Sequence, residues 1–481
     1  MSTRTTDHRR HPDPAQAEPQ RSRPASPARR PARVTVLALV LLVVAASAAM
    51  RVVNLSVFPT LVFDEYFYVH DANLIIHGRT GPSERDPWKP GASRSLAQPP
   101  AGTLAIAAGI LALGNDPWGW RLPSAIAGTL LIALVYPLAR RLGLGPRWAL
   151  LALCLAASDT MLIAESRVGV LDPFVALWSA VCVYCALRYV QSGRPTRWLV
   201  LTGVSGGFAI ASKWSGGLAV VAAVAIIIGD RLLERRAARD GDLVPRPLTT
   251  RSLARATACL VALLVGVYVA SYAWYFAAGH TLGQWLHLQS HLTTSDWAFR
   301  APGAADMASP PISWILDLTP LWYRWTLTSG HRAVAMIAIG NPLLFWGAVP
   351  AFIALLWLAC RNRDPRPAAI PLLVAILYLP WLLTTRQSYI YYITPVVPFL
   401  AIMVAAALAR LSGETRVRAG WAVLLLVIGA LTAGAAAGGT TSVRIAALAA
   451  LGGVVAVRLI AGRGDRGPRR SRGFGAVAAG R

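Results

Sequence analysis

The residues able to do chemistry in this sequence are a few charged side chains set among aromatic and apolar neighbours. Asp64 and Glu65 stand together in Phe63-Asp64-Glu65-Tyr66-Phe67-Tyr68. A carboxylate there can take the proton from a hydroxyl as its oxygen attacks a substrate, which is general-base work. Cations recur at separate points along the chain. Arg121 lies in Gly119-Trp120-Arg121-Leu122-Pro123-Ser124, Lys213 in Ser212-Lys213-Trp214-Ser215-Gly216, and Arg386 in Arg386-Gln387-Ser388-Tyr389. A guanidinium grips a phosphate at two points, and an ammonium supplies a compact positive charge. Each has a plainer reading: a solvated helix start for the carboxylates, and snorkelling beside interfacial tryptophans for the cations. Arg167, in Ser166-Arg167-Val168-Gly169-Val170-Leu171-Asp172, has the plainer reading of pairing with Glu165 or Asp172.

The elements that must hold these residues are membrane helices. The chain has 481 residues, of which 55% are hydrophobic and 14% charged. Its apolar residues come in blocks long enough to cross a bilayer core of about 30 Å. The net charge of +25 would suggest nucleic acid in a soluble chain. Here the arginines lie between apolar blocks, so they report topology instead. Residues 1–33 are rich in Pro and Arg and are expected to be a disordered basic tail. Residues 34–50 form the first span. Residues 101–114 are apolar but too short to cross, and placing them along the outer surface puts 33 of the 47 basic residues on the cytoplasmic side.

The expectation is therefore an all-α polytopic membrane protein of about twelve transmembrane helices over residues 34–461. Its two long outer loops, 51–121 and 279–331, contain interfacial helices, and a basic tail occupies 462–481. Both termini face the cytoplasm, and the active site faces out from the cell membrane. Long ordered loops usually carry function, and the first of these holds Asp64, Glu65 and Arg121.

Other classes fall away. The five cysteines lie in or beside apolar blocks and make no extracellular disulfide framework. Cys182 and Cys185 read as small buried hydrophobes, since no second pair or histidine accompanies them. No HExxH, Walker or dinucleotide-binding loop is present, so no metal ligand set and no cofactor is expected. A twelve-span transporter fits the span count, but the chain lacks the inverted repeats of that class.

The ordered series Phe63-Asp64-Glu65, Gly119-Trp120-Arg121-Leu122-Pro123-Ser124, Ser166-Arg167 with Leu171-Asp172, Lys213-Trp214-Ser215-Gly216, Ser309-Pro310-Pro311-Ile312-Ser313-Trp314, Gly340-Asn341-Pro342 and Tyr378-Leu379-Pro380-Trp381 resembles the actinobacterial protein O-mannosyltransferases. The resemblance covers nearly all of residues 34–410. It implies a GT-C type membrane glycosyltransferase. Such an enzyme moves mannose, with inversion, from polyprenyl-phosphate-mannose to Ser or Thr hydroxyls of exported proteins. On this reading Asp64 is the base and Glu65 assists it. Arg121, Lys213 and Arg386 bind the donor phosphate, and Tyr68 and Trp214 contact substrate. The expected partners are the lipid donor, exported acceptor proteins and membrane lipid, with no nucleic acid.

Two departures qualify the resemblance. Gln98-Pro99-Pro100-Ala101-Gly102-Thr103 stands where the family has His-Pro-Pro followed by Gly-Lys. Ala305-Asp306-Met307 replaces a His-Pro-Tyr stretch. Both leave room for a related lipid-linked sugar transferase acting on a glycan or lipid.

Overall fold

The computed structural model describes residues 29–78, 96, 98–239, 250–297, 307–317, 319–327 and 333–411. The expected disordered N-terminus, all but its last residues, and everything after 411, including the last two expected spans, lie outside the described residues. So do Ala305 and Asp306.

The helices are α1 (Arg29–Val52), α2 (Glu65–Ile76), α3 (Ala101–Leu113), α4 (Pro117–Arg141), α5 (Pro146–Ala157), α6 (Thr160–Glu165), α7 (Asp172–Gln191), α8 (Thr196–Ser212), α9 (Gly217–Arg239), α10 (Thr250–Ala270), α11 (Ala273–Ala277), α12 (Leu282–Trp297) and α13 (Pro311–Trp314). A hairpin of β1 (Leu321–Leu327) and β2 (Ala333–Ala338) follows, and then α14 (Pro342–Asn362), α15 (Ala369–Tyr378) and α16 (Val397–Leu411). Among the described residues, six helical segments are long and apolar enough to cross a membrane. Exposed apolar side chains such as Leu37, Leu41, Leu130, Val265 and Ile353 suit a lipid surround. α3 has 13 residues, which at 1.5 Å per residue is about 20 Å, short of the bilayer core.

Local chemistry sets the helix starts that matter for the site. Asp116 accepts from the amides of Trp118 and Gly119, and Pro117 occupies the first helical position. This fixes α4 so that Arg121 falls one turn inside it. Asp159 caps α6 through Leu162 N and also accepts from Asn341 N. Asn341 in turn caps α14. The Asp159 carboxylate thus ties the α5–α6 break to the residues that lead from β2 into α14.

The hairpin departs from the all-α expectation. Leu321-Trp322-Tyr323-Arg324-Trp325-Thr326-Leu327 is aromatic and β-prone, and it pairs antiparallel with β2, Leu321 opposite Ala338 and Thr326 opposite Val334. The register shifts between Trp322 and Arg324, leaving Tyr323 as an extra residue on β1. Such a bulge re-aims a side chain. Tyr323 is buried, whereas Trp322 and Trp325 stay exposed.

Candidate active site

The adjacent carboxylates point to different places. Phe63 adopts a left-handed conformation, φ 50°, which a bulky residue rarely tolerates and which tertiary contacts must hold. Those contacts are Tyr323, stacked on its ring at 4.3 Å, and Tyr391, edge-on at 5.5 Å. The chain then enters α2 with Asp64 at the N-cap position, where its side chain makes no capping hydrogen bond. Its Oδ2 instead accepts from the Tyr391 hydroxyl at 2.9 Å.

Glu65, the next residue, turns into the core and is fully buried. Its Oε1 accepts from Arg121 Nε at 2.7 Å and Gly169 N at 2.8 Å. Its Oε2 accepts from Arg121 Nη2 and Val62 N, both at 2.9 Å. Gly169 also packs against the backbone of α4, where a Cβ would lie 2.8 Å from the Trp120 carbonyl oxygen. Arg121 is equally buried. Beyond Glu65 it donates to the carbonyls of Leu55 (2.9 Å), Phe58 (2.8 Å) and Thr60 (3.0 Å). A guanidinium has five N–H donors, and all five are engaged. This geometry does not support the expectations that Arg121 grips a phosphate and that Glu65 assists the chemistry. The pair is a strut that pins residues 55–65 to the start of α4.

Arg167 pairs with neither Glu165 nor Asp172. It donates to the carbonyls of Met50, Val53 and Asn54, closing the C-terminal end of α1.

Lys213 is brought to Asp64's surroundings. It interrupts the chain between α8 and a 3₁₀ turn, and its buried Nζ donates to Asp172 Oδ1 at 3.1 Å and Oδ2 at 3.3 Å. The ammonium lies 4.5 Å from the Tyr392 ring and 5.2 Å from the Tyr391 ring. Arg386 approaches Tyr392 too, Nη2 to the hydroxyl at 3.0 Å. Two cations therefore bracket one tyrosine whose neighbour holds Asp64. Tyr68 is buried within electrostatic reach of Asp64, Asp172 and Tyr392. Trp214 is turned elsewhere: its indole donates to Tyr268 at 3.0 Å, and it packs on the separate cluster of Leu96, Tyr272, Tyr275 and Leu288.

The tyrosines were not singled out by residue type, although their run closes the motif that begins at Arg386. The second loop fixes them. Ser309 N donates to Ser388 O at 2.9 Å, Tyr378 donates to Pro311 O at 2.6 Å, and the Trp314 ring lies 6.0 Å from Tyr392. Burial first, and then the Asp64 charge, push the Tyr391 phenol well above its ordinary range. It therefore remains an O–H donor to the carboxylate. Among the described residues no three His, Cys, Asp or Glu side chains converge as a metal site.

Comparison with known proteins gives this geometry a context. Residues 97–241 match the family described as dolichyl-phosphate-mannose-protein mannosyltransferase. The polyprenol-phosphate-mannose–protein mannosyltransferase of Corynebacterium glutamicum is 27% identical over 427 residues, 74% of this chain and 78% of the relative. Among solved structures, the Saccharomyces cerevisiae protein O-mannosyltransferase Pmt1–Pmt2 complex bound to the sugar donor is similar. It has a TM-score of 0.65 and 13% identity, covering 87% of this chain and 90% of that one. ArnT from Cupriavidus metallidurans bound to undecaprenyl phosphate follows, with a TM-score of 0.51 and 18% identity over 89% and 77%. The fold is shared with these two solved proteins, and the similarity to the Corynebacterium glutamicum relative spans more than three quarters of its length.

Proposed function

We propose that this protein is a membrane glycosyltransferase that moves mannose from polyprenyl-phosphate-mannose to Ser or Thr hydroxyls of exported proteins, with inversion. The observation that carries the reading is the convergence of Asp64, held by Tyr391, with the buried cation Lys213, in a chain whose relatives bear that activity in their names. Asp64 takes the proton of the acceptor hydroxyl as its oxygen attacks the anomeric carbon. The carbon–oxygen bond to the phosphate breaks on the opposite face, and the bonding pair leaves with the phosphate.

Lys213 and Arg386 receive that phosphate. A lipid phosphodiester carries one negative charge, and the monoester that leaves carries more. Attraction to the two cations therefore strengthens along the reaction, which is the condition for accelerating it. Asp172 holds the ammonium in place and keeps it charged while buried. Tyr392 keeps the cations apart, and Tyr68 lines the same cavity. Glu65 and Arg121 act at one remove by fixing the loop that carries Asp64. No cofactor enters, because the phosphate ester supplies the leaving group.

The site faces outward in this reading, twelve spans place both termini in the cytoplasm, and the acceptors are proteins passing through the membrane. Purified protein given labelled polyprenyl-phosphate-mannose and a Ser/Thr/Pro-rich peptide tests it: label on the peptide supports the reading, and no turnover sinks it. The departures at Gln98–Thr103 favour one second reading, transfer to a glycan or lipid, which the same assay reports as label on those acceptors alone.

A further inference from the structure

Glu165 is a buried polar side chain that the proposed reaction leaves unused. It ends α6. Its Oε1 accepts from the Tyr323 hydroxyl, while Oε2 is buried with no hydrogen-bond partner among the described residues. A buried carboxyl oxygen without a partner is costly, and a hydroxyl of a ligand would satisfy it. Glu165 lies within electrostatic reach of Asp172, Lys213 and Asp64.

We infer that Glu165, oriented by Tyr323, reads a hydroxyl of the sugar being transferred and so helps to determine donor specificity. The inference rests on the proposed glycosyl transfer. In an inverting displacement the sugar lies between the attacking hydroxyl and the departing phosphate. Glu165 senses both ends of that line, Asp64 at the base and Lys213 at the phosphate. A sugar hydroxyl donates and accepts, so it completes Oε2 whether or not the carboxyl carries a proton. The orientation is built in by the second loop. The bulge in β1 sends Tyr323 inward, its ring stacks on Phe63, and its hydroxyl fixes Glu165. The residue pair that shapes the base's backbone thereby also sets the sugar contact.

The test compares binding of polyprenyl-phosphate-mannose with that of bare polyprenyl phosphate by the full-length protein in nanodiscs. The wild type gives the reference ratio of the two affinities. Glu165→Met, similar in volume and uncharged, should weaken binding of the mannosylated lipid by about 10-fold, the scale of one hydrogen bond to a carboxyl. It should leave bare-lipid binding unchanged, which also reports that the variant is folded. Tyr323→Phe keeps the stack on Phe63 and should lose less, in the same direction. An equal loss for both lipids, or an unchanged ratio of the two affinities, overturns the inference. Absence of transfer to peptide by the wild type, with the ratio shifted as expected in Glu165→Met, counts against the proposed acceptor and leaves this inference standing.

Discussion

Arg121→Lys separates a strut from a phosphate ligand, because both roles need a cation at that place but only one needs the five-donor fork. In the structure the guanidinium serves Glu65 twice and three backbone carbonyls once each. A lysine has three N–H groups, so at least two of those five contacts go unmade. Each buried acceptor left without a donor costs about 1–3 kcal/mol, so two such losses come to about 2–6 kcal/mol. Against a folding free energy of roughly 5–15 kcal/mol, that is a large share. We expect the thermal unfolding midpoint of Arg121→Lys in nanodiscs to fall by several degrees, and the folded fraction to bind bare polyprenyl phosphate as the wild type does. Pairing Arg121→Met with Glu65→Leu should recover part of what Glu65→Leu alone loses, since the double variant buries no lone charge. An unchanged midpoint together with tenfold weaker lipid binding would refute the strut.

Asp64→Asn keeps shape and polarity but removes the base, so transfer should drop by about 10² to 10⁴ with donor binding intact; near-normal turnover moves the base elsewhere. Lys213→Met and Arg386→Gln should each weaken use of donor by about 10- to 150-fold, the range of a hydrogen bond to a charged group, and Asp172→Asn should follow Lys213→Met if its work is to hold the ammonium; unchanged kcat/KM in all three removes the phosphate assignment. Asp317, which anchors Gly340 N at 2.9 Å, has its carboxyl pushed by burial up to about 7 from an unfolded value near 3.8. The folded state therefore holds the proton more tightly, and the associated stability is full below pH 4 and lost as pH rises through about 7. Asp317→Asn should flatten that part of the melting-temperature profile, and an unaltered profile would exclude this origin. A cysteine at Gly81 should react with an impermeant thiol reagent on intact cells and one at Asp240 should not; reversed labelling inverts the topology.

Much of the scaffold was legible because its signals are local. Short apolar α3 betrays itself by length. The hairpin was harder to see. Its bulge exists only relative to a partner strand, and Tyr323 acquires meaning only when Phe63 and Glu165 meet it from residues 260 and 158 positions away. The pairing of charges was hidden for the same reason. Composition reveals that Arg121, Arg167 and Lys213 are present, but not that the first two satisfy backbone carbonyls while the third faces tyrosines.

The division between Asp64 and Glu65 did leave a trace in the sequence. Successive residues at a helix start point about 100° apart, so two adjacent carboxylates do not both face one cavity. On α2, Glu65 falls in line with Tyr68, Val69 and Ala72 at spacings of three, four and seven, and those are buried positions. A carboxylate on that stripe must meet a buried cation or hydrogen-bond donors, or the helix would not pack. Arg121 and the amides of Val62 and Gly169 meet that need. The conformational strain at Phe63 then follows: the loop must turn sharply to deliver Glu65 into its socket, and the same turn leaves Asp64 on the side where Tyr391 and Lys213 lie. The strut is what gives Asp64, the proposed base, its direction, so weakening it should loosen the proposed catalysis only through the loop it holds.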